Sequence, residues 1–523
     1  MASDHGILRR KGREGFVTEG APARWFDVAD DGGQDVPFGP TLILGCGPLP
    51  VENQRMNFAP GFRTWQFAKA LADDGIAVRL VVMRIPGAYD NELASFERFE
   101  HDNIAVVSVT EDLFRRQGAL EAAVDELRPR SVIAVSSATP ASRAIEIAGD
   151  RPLWIDLFGD LMAEAQSRMT VHTASDLLAH RAVLQSVLER GDAFSAVSGR
   201  QALATLGQLG LVGRLNRWTA AYTMVNTVPC CVFEEPRRGP EIGGSPEEFG
   251  EDDVIALWGG GFNTWCDADT FVDGMELAMK EDGSLRVAVT GGPIQGHDDL
   301  TYSSFLERVA GSRFSGRFVV KGQLQTREAD AYLRRADLAV VTEKRFVERT
   351  LGSSGRVLRW LGAGIPVVCT DLSELGSVLA HEDLASMYRP GDPVDLARAV
   401  LELTSSRDAS RSRAARARDY ARRHWNHMET TTPLRRWARD PSRAPDAHEH
   451  NPLSLSDAAV VSLKLREVEE ELQRFRDAYH LTRSELGSIH QSRMWKIWMS
   501  YQRLRRTLGL AAAGDRDDCG RGP

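Results

Sequence analysis

The chain has 523 residues, 42% of them hydrophobic, and a formal net charge of −9 from 64 Lys and Arg against 73 Asp and Glu. That length exceeds what one hydrophobic core organises, and it predicts two domains with appendages. An acidic balance excludes a general nucleic-acid binder, because a polyanionic partner selects a basic surface.

Residues 1–39 are polar and glycine-rich and read as a disordered tail; around Leu8-Arg9-Arg10-Lys11 there is no apolar segment of the kind a secretory signal needs. Residues 40–233 repeat a strand–helix rhythm, with strands expected at 41–45, 78–83, 104–109, 131–135, 153–157 and 194–198. Helices are expected at 63–73, 119–127, 141–148 and 175–189. Short continuous apolar strands between amphipathic helices predict a parallel sheet covered on both faces. Residues 234–252, rich in Pro, Gly and acid, read as a linker. The rhythm resumes over 253–440, with strands expected at 254–258, 285–290, 318–320, 338–342 and 367–370 and arginine-rich helix at 395–424. The fold class is therefore α/β, two doubly wound Rossmann-like domains with a cleft between them and a helical C-terminal extension.

A second linker is expected at 441–454 and a coiled coil at 455–490. Val461, Leu465, Val468, Leu472, Phe475, Tyr479, Leu486 and Ile489 alternate three- and four-residue spacings, with only Thr482 polar in the seam. That pattern predicts a homodimer; the alternative is one amphipathic helix docked on the body. Residues 491–510 place Trp495, Trp498 and Tyr501 among Arg493, Lys496, Arg503, Arg505 and Arg506. Such a basic amphipathic helix suits an anionic membrane surface, with an oligomer contact as the alternative. Residues 511–523 read as a disordered tail. Nothing in the chain is apolar for the roughly 18 residues that a membrane span requires. None of Cys46, Cys230, Cys231, Cys266, Cys369 and Cys519 forms C-x-x-C, which points to reduced thiols and a cytoplasmic location.

The strand Val254-Ile-Ala-Leu-Trp-Gly-Gly-Gly261 stops in three glycines. Glycines at a strand end let backbone N–H groups approach a phosphate, and ligands of open parallel sheets bind beyond the carboxyl ends of the strands. A nucleotide-type ligand follows. Gly45-Cys-Gly47-Pro-Leu-Pro50 lacks the third glycine of a dinucleotide fingerprint, so a dehydrogenase is disfavoured. Asp156 and Asp160 end a buried strand on the cleft side, with Glu164 one turn further on. A carboxylate there orients an acceptor hydroxyl or acts as a base; equally, such a pair caps the next helix. Asp267-Ala-Asp269 reads as helix capping, so no metal and no other cofactor is expected.

The motifs Trp258-Gly-Gly-Gly261-Phe-Asn-Thr-Trp-Cys-Asp267, Glu348-Arg-Thr-Leu-Gly-Ser-Ser-Gly-Arg356-Val-Leu-Arg-Trp-Leu-Gly-Ala-Gly-Ile-Pro-Val-Val, Trp154-Ile-Asp156-Leu-Phe-Gly-Asp160 and Val197-Ser198-Gly-Arg200-Gln201 resemble the GT-B glycosyltransferases. They are close to glycosyltransferase family 4 and, more narrowly, to bacterial surface-polysaccharide transferases. The resemblance spans roughly residues 40–440. It implies that Gly259, Gly260 and Gly261 face a donor diphosphate, that Asp267 follows in the same loop, and that Arg356 adds positive charge to the leaving group. Glu348 would bond donor sugar or ribose hydroxyls, and Arg63 with Glu164 would serve the acceptor. Family 4 carries two Glu separated by seven residues across this helix; here the positions read Leu351 and Arg359. The reading is a glycosyltransferase moving sugar from a nucleotide-sugar to a glycan or lipid-linked acceptor at the inner membrane face. A catalytically degenerate scaffold and a nucleotide-sugar 2-epimerase remain the alternatives.

Overall fold

The computed structural model describes residues 24–26, 39–52, 54, 56–89, 94–135, 138–168, 173–233, 248–294, 298, 300–447 and 457–508. Most of the two expected tails and of the linker at 234–252 lies outside these residues. The chain divides into residues 1–453 and residues 454–523.

In the first unit the apolar runs of the N-terminal half become β1 (Thr41–Gly47), β2 (Val78–Arg84), β3 (Phe96–His101), β4 (Ile104–Val109), β5 (Ser131–Ala134), β6 (Leu153–Leu157), β7 (Ala193–Ala196) and β8 (Val225–Thr227). They form one sheet in the order β3-β4-β2-β1-β5-β6-β7-β8. All neighbours are parallel except β3 with β4. Every residue of β1 is buried, as a strand covered on both faces must be. β3, Phe-Glu-Arg-Phe-Glu-His, was not legible as a strand; its charged alternation suits an exposed edge, where charge discourages pairing with another chain. β7 ends earlier than expected because the Ser198 hydroxyl accepts from Gln201 N at 3.0 Å and caps the helix Gly199–Leu211.

The C-terminal half forms β9 (Val254–Gly259), β10 (Leu285–Thr290), β11 (Phe318–Val320), β12 (Leu338–Val340), β13 (Val367–Cys369) and β14 (Ser386–Met387), all parallel, in the order β11-β10-β9-β12-β13-β14. Residues of β9 alternate between two cores, as the period of a strand dictates. Val254, Ala256 and Trp258 join one with helices Ala268–Glu281 and Leu300–Ala310, whereas Ile255 and Leu257 join the other with helix Gly355–Ala363. The chain leaves β9 toward β10 on one side and returns to β12 on the other. The carboxyl end of β9, where the glycines stand, is therefore a topological switch point.

After helix Arg407–His424 the chain crosses back to the first domain. Leu434 and Ala438 of helix Thr432–Arg439 share a core with Trp65, Phe67 and Trp154. Part of the stretch read as a second linker is also packed there: Ala444 and Asp446 are buried, and Asp446 takes Arg214 through both carboxylate oxygens at 2.8 and 3.0 Å.

The second unit contains helix Asp457–Gln491 and helix Arg493–Thr507. Ser492 caps the latter, its hydroxyl accepting from Trp495 N at 3.1 Å. No helix among the described residues is long and apolar enough to cross a membrane.

Candidate functional site

The glycine turn after β9 is held tightly. Gly260 has φ +96°, a backbone state that L side chains avoid. A Cβ on neighbouring Gly291 would lie 1.8 Å from the Gly260 carbonyl oxygen, so only glycine permits the two turns to touch. Below the turn, Trp258 stacks on Phe262 with centroids 4.9 Å apart, and Phe262 meets Phe305 at 4.8 Å. The amides are not all aimed at a ligand, however. Gly260 N donates to Thr290 O at 3.3 Å and Phe262 N to Gly292 O at 3.0 Å. All three glycines were expected to offer N–H groups to a diphosphate; the Gly260 amide instead bonds within the protein, to Thr290 O.

Arg356, in the first turn of helix Gly355–Ala363, reaches this turn. Its Nη2 donates to Gly261 O at 2.7 Å, and its guanidinium carbon lies 5.8 Å from the Trp258 ring centroid. Its Nη1 is buried with no hydrogen-bond partner. A guanidinium N–H that is buried and unbonded is costly unless something else fills its place. Trp360, one turn on, packs at the Gly259 side of the turn. Asp267 is occupied as a helix cap: it accepts from Thr270 N at 3.1 Å and Thr270 Oγ1 at 2.7 Å. The capping reading of Asp267-Ala-Asp269 accords with this geometry, and Asp269 lies 3.5 Å from Arg308.

Of the acidic candidates, two meet across the domain boundary. Glu348, on helix Val347–Leu351, is buried and binds the adjacent Arg349 guanidinium, which also reaches Glu343 at 3.0 Å and lies 4.7 Å from the Trp265 ring centroid. Glu164, on helix Leu161–Ser167 of the first domain, is pushed up from the ordinary carboxylate value by burial and then by the charge of Glu348. Beside them Ser167 Oγ and Thr264 Oγ1 are 3.3 Å apart, again one from each domain.

The other candidates are placed differently. Arg63 and Asp156 are spent on each other in a bidentate pair at 2.7 and 3.0 Å, with side chains 1% and 0% exposed. Arg63 also donates to Gln66 Oε1 and Pro229 O, and Asp156 accepts from Ser195 Oγ at 2.6 Å. Both side chains are buried in this pair, whereas the sequence suggested Arg63 for the acceptor and Asp156 for catalysis. Asp160 caps its helix, accepting from Ala163 N at 2.8 Å, and its second oxygen takes Gln208 Nε2 at 2.8 Å. The capping alternative for Asp160 is the one realised.

Sequence reasoning missed Glu374 and Arg349. Glu374 bonds the Gly199 and Arg200 amides at 3.0 and 3.1 Å, so a carboxylate from the second domain caps a helix of the first. Arg200 returns the contact to Leu372 O and Ser377 Oγ. The run Val197-Ser198-Gly-Arg200-Gln201 was the signal; its partner was not legible because it lies some 175 residues on.

Residues 254–406 match the family model described as Glycosyl transferases group 1. No curated protein matches the chain. Among solved structures, HepE of Anabaena in complex with UDP and glucose superposes with a TM-score of 0.55 at 14% identity, over 76% of this chain and 98% of that one. Sucrose-phosphate synthase from Thermosynechococcus elongatus gives 0.53 at 14% identity, over 77% and 98%. An E. coli trehalose-6-phosphate structure bound with UDP-2-fluoro glucose gives 0.53 at 12% identity, over 77% and 100%. The fold is GT-B, and residues 254–406 of the second domain carry the similarity to the glycosyltransferase model.

Proposed function

We propose that the protein transfers a sugar from a nucleotide-sugar to a glycan or lipid-linked acceptor in bacterial surface-polysaccharide synthesis. The observation that carries the donor half of this reading is the buried, unpartnered Nη1 of Arg356 beside the Gly259-Gly260-Gly261 turn, inside the domain that matches the glycosyltransferase model. A diphosphate there gives Nη1 its missing acceptor. As the glycosidic bond to the donor breaks, charge grows on the diphosphate, and a fixed guanidinium stabilises that charge without reorganising. Structural neighbours crystallised with UDP and UDP-sugars support a nucleotide-sugar donor. Glu164 and Glu348, brought together from the two domains, are the carboxylates placed to contact donor and acceptor hydroxyls where the cleft closes.

The helix Arg493–Thr507 has five cations, no acid, and Met494, Ile497, Trp498, Tyr501 and Leu504 exposed. It supports attachment to an anionic membrane face, where a lipid-linked acceptor resides. A scaffold role draws on Leu351 and Arg359, which stand where family 4 carries Glu. Nucleotide-sugars screened by thermal stabilisation, followed by turnover with and without acceptor, separate the readings. Release of nucleoside diphosphate that depends on acceptor supports transfer. Conversion of the donor without acceptor indicates an epimerase, and binding without turnover a scaffold.

A further inference from the structure

The long helix Asp457–Gln491 has a face with no partner within its own unit. Leu465, Val468, Leu472, Phe475, Tyr479, Leu486 and Ile489 are between 47% and 73% exposed. Leu465, Leu472, Tyr479 and Leu486 fall at one seam position of a heptad, and Val468, Phe475, Thr482 and Ile489 at the other. Thr482, the polar member, satisfies its hydroxyl on its own helix by donating to Ala478 O at 2.9 Å. It can therefore enter an apolar seam without leaving a buried donor unbonded.

The charges beside the seam identify the occupant. In a parallel, in-register pair each residue just before the first seam position faces the residue five further along the other chain. Lys464 then faces Glu469 of the second copy, Glu471 faces Arg476, and Glu485 faces His490; the fourth row, Ala478 with Arg483, carries no clash. Lys464, Glu469, Glu471, Arg476 and Glu485 are all exposed, and among the described residues none of them has an ion-pair partner in its own helix. An antiparallel pair can also match Lys464 with Glu485 and Glu469 with Arg476. It sets Thr482 against Leu465 at two places, however, whereas the parallel pair confines the polar residue to a single layer against itself.

We propose that helix Asp457–Gln491 pairs with a second copy of this chain as a parallel, in-register, two-stranded coiled coil. Both copies of the basic helix Arg493–Thr507 then emerge from the same end. The inference is independent of the reaction the body catalyses.

The test uses the full chain in analytical ultracentrifugation at micromolar concentration. The unsubstituted protein should sediment as a dimer. Glu471→Arg places like charges at two symmetry-related sites and should weaken the dimer on the order of tenfold. Adding Arg476→Glu should restore it, because the swapped pair is again complementary. In a Cys519→Ser background, Val468→Cys should form an interchain disulfide on oxidation that Cys519→Ser alone does not, since matching seam residues are adjacent only in the parallel register. A monomer overturns the proposal. So does a dimer that ignores Glu471→Arg, which is the antiparallel result because Glu471 there faces Ala478. Failure of Val468→Cys to cross-link a dimer overturns it as well.

Discussion

Arg356→Ala separates a ligand-binding arginine from a structural one. In the folded chain the guanidinium makes one internal hydrogen bond, Nη2 to Gly261 O at 2.7 Å, and leaves Nη1 buried without a partner. Losing the internal bond costs about 1 kcal/mol of stability. Losing a fixed cation at the leaving diphosphate costs about 2–4 kcal/mol of transition-state stabilisation, or roughly 30- to 1,000-fold in kcat/KM. The two costs fall on different measurements. Calorimetric titration with the nucleoside diphosphate that the thermal screen selects and acceptor-dependent turnover report the second, and a urea unfolding midpoint reports the first. Arg356→Lys should recover part of the activity, because it restores charge without the guanidinium fork. Unchanged nucleoside-diphosphate affinity and turnover beside a lowered unfolding midpoint would refute the reasoning and leave Arg356 as a clamp on the glycine turn.

Asp156→Ala leaves the Arg63 guanidinium buried and unpaired, and should cost about 3–5 kcal/mol by urea unfolding; a change under 1 kcal/mol would show that water or a neighbour replaces the carboxylate. Truncation after residue 453 should leave the unfolding free energy of the body unchanged, whereas Asp446→Ala should lower it by a similar amount, about 3–5 kcal/mol, through the buried Arg214. Because the Glu164 carboxyl is raised in the folded state, its contribution to stability is full below the unfolded value of about 4.3 and is lost as pH rises through the folded value. Glu164→Gln should therefore gain thermal stability relative to the unsubstituted chain as pH rises across that window, and a pH-independent difference would contradict the shift. Activity should persist in EDTA, since Asp267 and Asp269 are engaged as a helix cap and with Arg308; loss restored by Mg²⁺ or Mn²⁺ would overturn this.

The doubly wound architecture was legible because buried parallel strands need continuous apolar runs, and such runs recur along the sequence between amphipathic helices. The glycine turn was legible for a related reason: consecutive glycines after a buried strand mark a tight turn, and Gly260 adopts a backbone state that L side chains avoid. The charged residues were read less well. Arg63 at a helix start and Asp156 at a strand end both look like cleft residues one at a time. Their pairing crosses 93 residues of sequence, and only the fold shows that each desolvates the other. Asp160 and Asp267 illustrate a second ambiguity. An acid that follows a strand and precedes a helix serves equally as a cap or a ligand, and local sequence carries no information on which hydrogen bond wins. β3 escaped notice because an edge strand is free to be charged.

The absence of the paired Glu across helix Gly355–Ala363 gains a physical meaning from where Leu351 and Arg359 fall. Leu351 acts through its backbone: its carbonyl accepts from Ser198 Oγ of the first domain at 2.6 Å, so the position holds the cleft together. Arg359 pairs with Asp330 on helix Thr326–Arg335, whereas Arg356 and Trp360 of the same helix line the glycine turn. A glutamate at 359 would meet Asp330 as a like charge, so this helix and its neighbour are matched to each other as a pair. At the boundary the carboxylates are Glu348, one turn before Leu351 and held by Arg349, and Glu164 of the other domain, close enough that the charge of one raises the other. If sugar hydroxyls are read by carboxylates in this protein, that cluster is where the chain still has them, and its two halves belong to different domains. Recognition of the sugar is then tied to closure: Glu164 and Glu348 stand together only when the helices Leu161–Ser167 and Val347–Leu351 are docked.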